Sequence, residues 1–336
     1  MGEKYYVGID LGTSRTSIAT STGVRLTTVS CVGYPKDLIS QKRFGKSYLL
    51  GQDAIDNRLA LTVEWPLADG VIKEKNEAAN DATKLILQDI INRAIPDKKS
   101  DDTILAAIGV PAQASILSKK IIVDITSGFI DKILIVSEPF AVAYGLDRFD
   151  ECMIVDCGAG TIDLVRIHGT MPEEEDQITL NTAGNFLDSQ LTTGILAEYP
   201  GVQLTSQIIK RIKEKHGYVS DTSDKVVVRL TDKGVQGEYD ITDVLQSSCL
   251  KMTDPICSAV QKLVGGFDPE FQEKIRNSII VAGGGSRLKG IDRAIEKGLA
   301  KYGGGDVVCV QDSEFGGAVG ALKMALEMPQ NYWEKL

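Results

Sequence analysis

The chain has 336 residues, of which 43% are hydrophobic and 25% charged, with a formal net charge of −9. That length suits roughly two domains, each able to bury its own core, and the acidity excludes a general nucleic-acid binder, which carries a basic face. Two histidines, His168 and His216, are too few for a His-based metal centre or a catalytic triad, and six cysteines without Cys-x-x-Cys spacing read as reduced thiols of a cytosolic protein.

Met1-Gly-Glu-Lys-Tyr-Tyr6 runs directly into a first strand, which leaves no room for a signal peptide, and no apolar run approaches the ~18 residues of a membrane span. The expectation is a protein neither secreted nor membrane-spanning. Tyr6-Val-Gly-Ile-Asp-Leu-Gly-Thr-Ser14 reads as a strand with Asp10 at its exit. A glycine turn and a second strand at Thr16–Thr20 follow, then a third strand-like run at Val24–Ser30. Val32-Gly-Tyr-Pro-Lys-Asp37 breaks the pattern and opens a small insertion to about Pro66. From Asp81 onward Leu87, Ile90, Ile91, Ala94 and Ile95 recur at the spacing of one helix face. Thr103–Val110 is a buried strand stopped by Pro111, a helix-like run covers Ser115–Thr126, and Lys132–Val136 is a further strand.

That last strand ends at Ser137-Glu138-Pro139, where a helix over Phe140–Leu146 is expected. Pro139 suits a first helical turn, which places Glu138 beside free N–H groups and the positive end of the helix dipole. The setting favours an ionised carboxylate, either as a plain acidic cap or as the group that orients a water for in-line attack on a phosphate.

Met153-Ile-Val-Asp-Cys-Gly-Ala-Gly-Thr-Ile-Asp163 repeats the grammar of the N-terminal hairpin. Asp156 stands 156 − 10 = 146 positions after Asp10, and Gln177–Leu180 supplies the third strand. Either turn alone is ordinary hairpin chemistry, but two copies in matching contexts point to two similar lobes. Glycines let the backbone approach an anion and turn its amides toward it, Thr161 adds a hydroxyl, and Asp156 can hold the water shell of a divalent cation. No Walker-type run is present, so a phosphate grip must come from the hairpins.

Further along, Gly184–Asp188 leads into a helix with Leu187, Leu191 and Ile195 inward, and Ser206–His216 is a basic helix. Val226–Leu230 and Gly237–Ile241 read as a hairpin, followed by a long helical stretch over Asp243–Val264 kinked at Pro255. Ser278–Ala282 is a strand, Gly283-Gly-Gly-Ser-Arg287 a turn that lets a flat ring or phosphate approach the backbone, and Leu288–Tyr302 a helix. Asp306–Val310 is a last strand. The small residues of Phe315–Leu322 suit close packing of a closing helix at a hinge.

The succession Asp10-Leu-Gly-Thr-Ser14, Ser137-Glu-Pro139, Asp156-Cys-Gly-Ala-Gly-Thr161, Gly283-Gly-Gly-Ser-Arg287 and the terminal glycine-rich helix resembles the phosphate, connecting and adenosine motifs of the actin superfamily across essentially the whole chain. Within it, Val32–Asp37, Val136–Phe140 with Tyr144–Asp147, Glu175–Leu180 and Tyr332-Trp333 look closest to the bacterial actins of magnetosome-forming cells.

The resemblance implies an α/β fold of two similar lobes, each with a mixed β-sheet flanked by helices, in four subdomains around a nucleotide cleft. Lobe I is expected over 1–150 plus 317–336 with an inserted subdomain at about 32–66, and lobe II over 151–316 with one at about 186–250. ATP or ADP with Mg2+ is the implied cofactor. Asp10, Gly12, Thr13 and Ser14 would form the first phosphate loop, and Asp156, Gly158, Ala159, Gly160 and Thr161 the second. Asp10 and Asp156 would hold the metal through water. Glu138 would position the attacking water, with Asp156 and Thr161 also catalytic, and Gly283, Gly284, Gly285 and Arg287 would border adenine. Lys213 keeps the place of a nucleoside-contacting lysine of the cell-shape actins, while Lys210 stands where those proteins have Glu.

The implied activity is a filament-forming ATPase whose hydrolysis drives filament turnover. Its partners would be further copies of itself and magnetosome-associated proteins, and its location the cytoplasm, alongside magnetosomes. No nucleic acid is expected, and no direct membrane insertion, since Met1–Tyr6 is too short and polar to anchor. The other readings on this fold are a small-molecule kinase, for which no additional Asp base stands out, and a chaperone-type ATPase, for which a peptide-binding domain is lacking.

Overall fold

The computed structural model describes residues 2–220 and 224–335. The chain divides into two compact units, residues 1–148 with 314–336, and residues 149–313.

The first unit is built on a six-stranded sheet. Its order is Glu334–Lys335, Lys132–Ser137, Thr103–Val110, Lys4–Leu11, Arg15–Thr20, Arg25–Val29. Lys4–Leu11, Thr103–Val110 and Lys132–Ser137 run parallel, while the first three strands of the chain form an antiparallel meander. Thr103–Val110 is buried along nearly its whole length, as a central strand covered on both faces must be, which is why it reads as one apolar run. Helix Glu77–Ala94 lays Ile86, Leu87, Ile90 and Ile91 inward and begins at Asn76, whose side chain accepts from the Ala79 amide at 3.1 Å.

The closing helix, Gly316–Glu327, packs on strand Lys4–Leu11, and glycines make that approach possible. A Cβ on Gly8 would stand 2.1 Å from the carbonyl oxygen of Ala318, and one on Gly320 only 1.7 Å from that of Ala141 in helix Glu138–Gly145. The inserted segment carries the three-stranded sheet Leu49–Leu50, Val32–Pro35, Leu61–Glu64 with helices Leu38–Phe44 and Gly51–Asp56 around Cys31, Ala54 and Leu61.

The second unit repeats the plan in five strands, ordered Gln177–Leu180, Ile162–Ile167, Cys152–Cys157, Ile279–Ala282, Val307–Cys309. Again an antiparallel meander comes first, and the later strands add in parallel. The duplication extends to register: Asp10 lies opposite Ser17 and Asp156 opposite Asp163, each partner 17 − 10 = 163 − 156 = 7 residues on. Helix Gly184–Glu198 buries Leu187, Leu191 and Ile195, the expected triplet. A small sheet of Val202–Gln203, Val227–Asp232 and Val235–Asp240 lies in the inserted part.

Several elements differ from expectation. The stretch over Asp243–Val264 is two helices, Thr242–Leu250 and Thr253–Val264, and not one kinked helix. Pro255 has no N–H to give and its ring would collide with the carbonyl four residues back, at Lys251, so the chain breaks there and starts afresh with Pro255 in a first turn. The helix expected over Leu288–Tyr302 begins only at Ile291, because Gly290 at φ 82° forms a left-handed turn ahead of it. The helix near Glu138 spans Glu138–Gly145, starting two residues and ending one residue earlier than expected, with Pro139 as its second residue.

Candidate functional site

In the first unit the site is assembled at the carboxyl ends of parallel strands, where open α/β sheets place their ligands. Asp10 pairs with Gly109 of the neighbouring strand, and Gly109 pairs in turn with Val136, so that Glu138 begins its helix next to the Asp10 strand. Gly109 leaves the space for this: a Cβ there would be 3.2 Å from Glu138 Cγ and 3.9 Å from Asp10 Cα. Asp10 is also overlain by the closing helix, since a Cβ on Gly317 would come within 2.9 Å of Asp10 Oδ2. Burial pushes the Asp10 carboxyl up to about 6, a cost that a nearby cation removes.

The turn after Asp10 is held from outside. Ser30, fully buried at the end of the third strand, donates its hydroxyl to the Gly12 carbonyl at 2.7 Å, lies 2.9 Å from the Thr16 hydroxyl, and gives its amide to the Ser14 carbonyl at 3.0 Å. The Thr13 hydroxyl accepts from the Gly70 amide at 2.8 Å. Neither Ser30 nor Gly70 was singled out from sequence. A serine at a strand end is commonplace, and only the 18-residue return to Gly12 gives it meaning.

In the second unit Asp156 pairs with Ala282, which brings the second glycine tip beside the turn at Gly283. Gly283 sits at φ 71°, and a Cβ on it would meet Asp156 Oδ1 at 2.3 Å and the Cys157 carbonyl oxygen at 2.7 Å. Gly285 packs as closely on Cys157, whereas a Cβ on Gly284 would meet nothing within 4 Å. The exposed Gly284 and Arg287 thus form the open edge of this turn, and Ser286 closes it with a 2.7 Å bond to the Gly283 carbonyl. Thr161 is buried, and its carbonyl takes the Gly158 amide at 2.9 Å, which sets the width of the tip. Cys157 is fully buried, and burial pushes its thiol well above the usual range.

Lys213 has partners within the protein. Its ammonium donates to the Gly184 carbonyl at 2.6 Å and pairs with Asp188 at 2.8 Å. Lys210 faces Glu214 at 4.0 Å on the same helix. The structure therefore gathers Asp10, Gly12–Ser14 and Glu138 in the first unit. In the second it gathers Asp156, Gly158–Thr161, Lys213 and Gly283–Gly285. Among the described residues no group of three or more His, Cys, Asp or Glu side chains is gathered as for an all-protein metal cage. Single carboxylates beside glycine turns are the donor set of a magnesium ion that keeps its waters and is held chiefly by phosphates.

Two glycine-tipped hairpins, each leaving a strand that carries an Asp at its exit and each set in the same meander-plus-parallel sheet, define the architecture of the actin-like ATPases. The chain belongs to the MreB/Mbl protein family, whose pattern matches residues 4–326. It is 37% identical over 333 residues to the actin-like protein MamK of Magnetospirillum gryphiswaldense, covering 99% of this chain and 92% of that one. It superposes on the MamK double helical filament with a TM-score of 0.94, at 34% identity, covering 97% of this chain and 100% of the other. A non-polymerising MamK mutant bound to AMPPNP gives a TM-score of 0.74 at 34% identity with the same coverage.

Proposed function

We propose that this chain is an ATPase that polymerises with MgATP into cytoplasmic cytoskeletal filaments, and that these filaments organise or position magnetosomes in a chain through magnetosome-associated proteins. The observation that carries the reading is the duplicated Asp–glycine hairpin, set at the same register in both units of a chain 37% identical to MamK. In this reading the inserted segments at 32–66 and 186–250 are the smaller subdomains.

ATP supplies the phosphoryl group, and bound magnesium neutralises charge on its phosphates. The residues present fit both. The turn at Gly12 and the Ala159 and Gly160 amides of the second tip give the backbone room to meet an anion, and Asp10 and Asp156 are lone carboxylates of the kind that hold a hydrated magnesium. Gly283, Gly284, Gly285 and Arg287 border the base. Glu138, the first residue of its helix, orients a water and takes its proton. Thr161, buried under the second tip, keeps that turn in shape.

Sedimentation and light scattering alongside phosphate release test the proposal. Polymer that forms with MgATP, releases phosphate and shows filaments by electron microscopy is the expected result. Protein that stays in the supernatant with MgATP over a range of concentrations and salts overturns it. For the cellular role, the tagged chain is expressed in a magnetosome-forming bacterium that lacks its own MamK. Filaments that form while magnetosomes remain scattered would sink the positioning part alone.

A further inference from the structure

We propose that Asp188 and Lys213 are a positioning pair for the second glycine tip, acting on the phosphates through the backbone and leaving the nucleoside untouched. This inference rests on the ATPase reading above. The tip is held from behind by two hydrogen bonds: the Gly184 amide donates to the Gly158 carbonyl at 3.2 Å, and the Asn185 amide to the Ala159 carbonyl at 2.8 Å. Both donors belong to the first turn of helix Gly184–Glu198, where amides have no partner within the helix. That helix end is therefore committed to the tip's carbonyls. The consequence is directional, because with its carbonyls drawn back the tip turns the amides of Ala159 and Gly160 outward, and these find no partner among the described residues.

The Asp188–Lys213 pair forms the next layer. Lys213 donates to the carbonyl of Gly184, the residue whose amide holds the tip, and Asp188, one turn further along the same helix, anchors the ammonium. The packing is close: a Cβ on Gly184 would lie 3.2 Å from Ala159 Cα, 3.2 Å from Lys213 Nζ and 3.3 Å from the Gly158 oxygen. The two charged side chains are only 13% and 19% exposed, so the ion pair is largely withdrawn from water and weakly screened, and the directional contact is the ammonium's 2.6 Å hydrogen bond to the Gly184 carbonyl. Lys213 is itself placed by the last turn of helix Ser206–His216. The exit of that helix is tied to the glycine-rich turn region, with Val219 donating to the Lys289 carbonyl at 2.9 Å and Lys289 to that of Gly217 at 3.3 Å. An ammonium fixed on both sides cannot swing to a nucleoside without releasing the tip.

The experiment compares wild type with Asp188→Asn, Lys213→Met and the double variant. Readouts are affinities for adenosine, ADP and AMPPNP, hydrogen exchange at Ala159 and Gly160 without nucleotide, and melting temperature. Loss of a charge-assisted bond predicts a fall of roughly 10-fold to 100-fold in AMPPNP affinity, with ADP affected less and adenosine unchanged. Tip exchange should quicken in both single variants, and the double variant should be no worse than the weaker single one, since the two side chains act as one unit. The double variant leaves no buried unpaired carboxylate, so it serves where Lys213→Met fails to fold. A Lys213→Met variant that loses adenosine as strongly as AMPPNP, while Asp188→Asn binds normally, overturns the proposal in favour of direct nucleoside contact. Variants that bind AMPPNP as wild type does overturn the pair and leave the ATPase reading standing. A wild-type protein that binds no nucleotide overturns that reading and this inference with it.

Discussion

Asp10 carries a cost that the fold accepts for the sake of its site. With its carboxyl raised from 3.8 to about 6 by burial, the folded protein keeps a proton that the unfolded chain gives up between those two values. Stability from this group is therefore full below pH ~4 and falls as pH rises to ~6, by about 3 kcal/mol at most. Asp10→Asn removes the titration. In nucleotide-free protein the variant should gain on wild type as pH rises from 4 to 7 in parallel melts, and a wild-type-to-variant difference that does not change with pH would refute the account. Cys157 illustrates the opposite case, a side chain that sequence places in a phosphate loop and the structure turns into the core. Its thiol is buried and held protonated, so peptide mapping after alkylation should find it unlabelled in native protein, with or without ATP. Labelling that ATP blocks would show instead that the thiol faces the nucleotide.

At the scale of elements, what could be read from sequence was what local chemistry controls. Both glycine hairpins, the buried strand Thr103–Val110 and the inward triplet of helix Gly184–Glu198 follow from alternation, turn residues and helical spacing. The hairpin Val227–Asp232 with Val235–Asp240 was placed too short at its turn, because its tip is Lys233-Gly234 at φ 48° and 86° between polar, half-exposed residues that carry little periodic signal. The terminal strand Glu334–Lys335, two residues long, has no pattern of its own and exists through its pairing with Lys132 and Ile133. Ser30, Gly70 and Asp188 were illegible for a related reason: each acts on a residue far off or on another element, and such contacts are settled by packing. The closing helix shows how far glycine spacing can be trusted. Its small residues suggested close packing, and the structure supplies the surfaces, Gly8 on one side and Gly145 with Ala141 on the other. Gly320→Ala should cost about 1–3 kcal/mol in denaturant unfolding, since its new methyl would drive into the Ala141 carbonyl and force two helices apart. A neutral result would show that these helices yield at little cost.

For the whole molecule the decisive test falls on Glu138, which in the proposed function would separate holding a nucleotide from consuming it. On the proposed reading the hairpin amides and the Asp carboxylates would hold phosphates and metal without Glu138, whose position beside Gly109 and the Asp10 strand suits it to a water. Glu138→Ala should accordingly bind ATP and assemble as wild type does, while hydrolysis falls by about 10² to 10⁴, the usual worth of a positioned proton acceptor. Filament turnover then becomes the readout. Hydrolysis shifts a polymer from its ATP-bound toward its ADP-bound population, so subunits that keep ATP should hold the filament longer, and the variant's light-scattering signal should decay more slowly once free ATP is removed. Phosphate release measured in the same cuvette separates the alternatives. Slow release with slow decay supports a hydrolysis-timed filament, slow release with wild-type decay means that disassembly runs on something other than the nucleotide state, and unchanged release removes Glu138 from the chemistry.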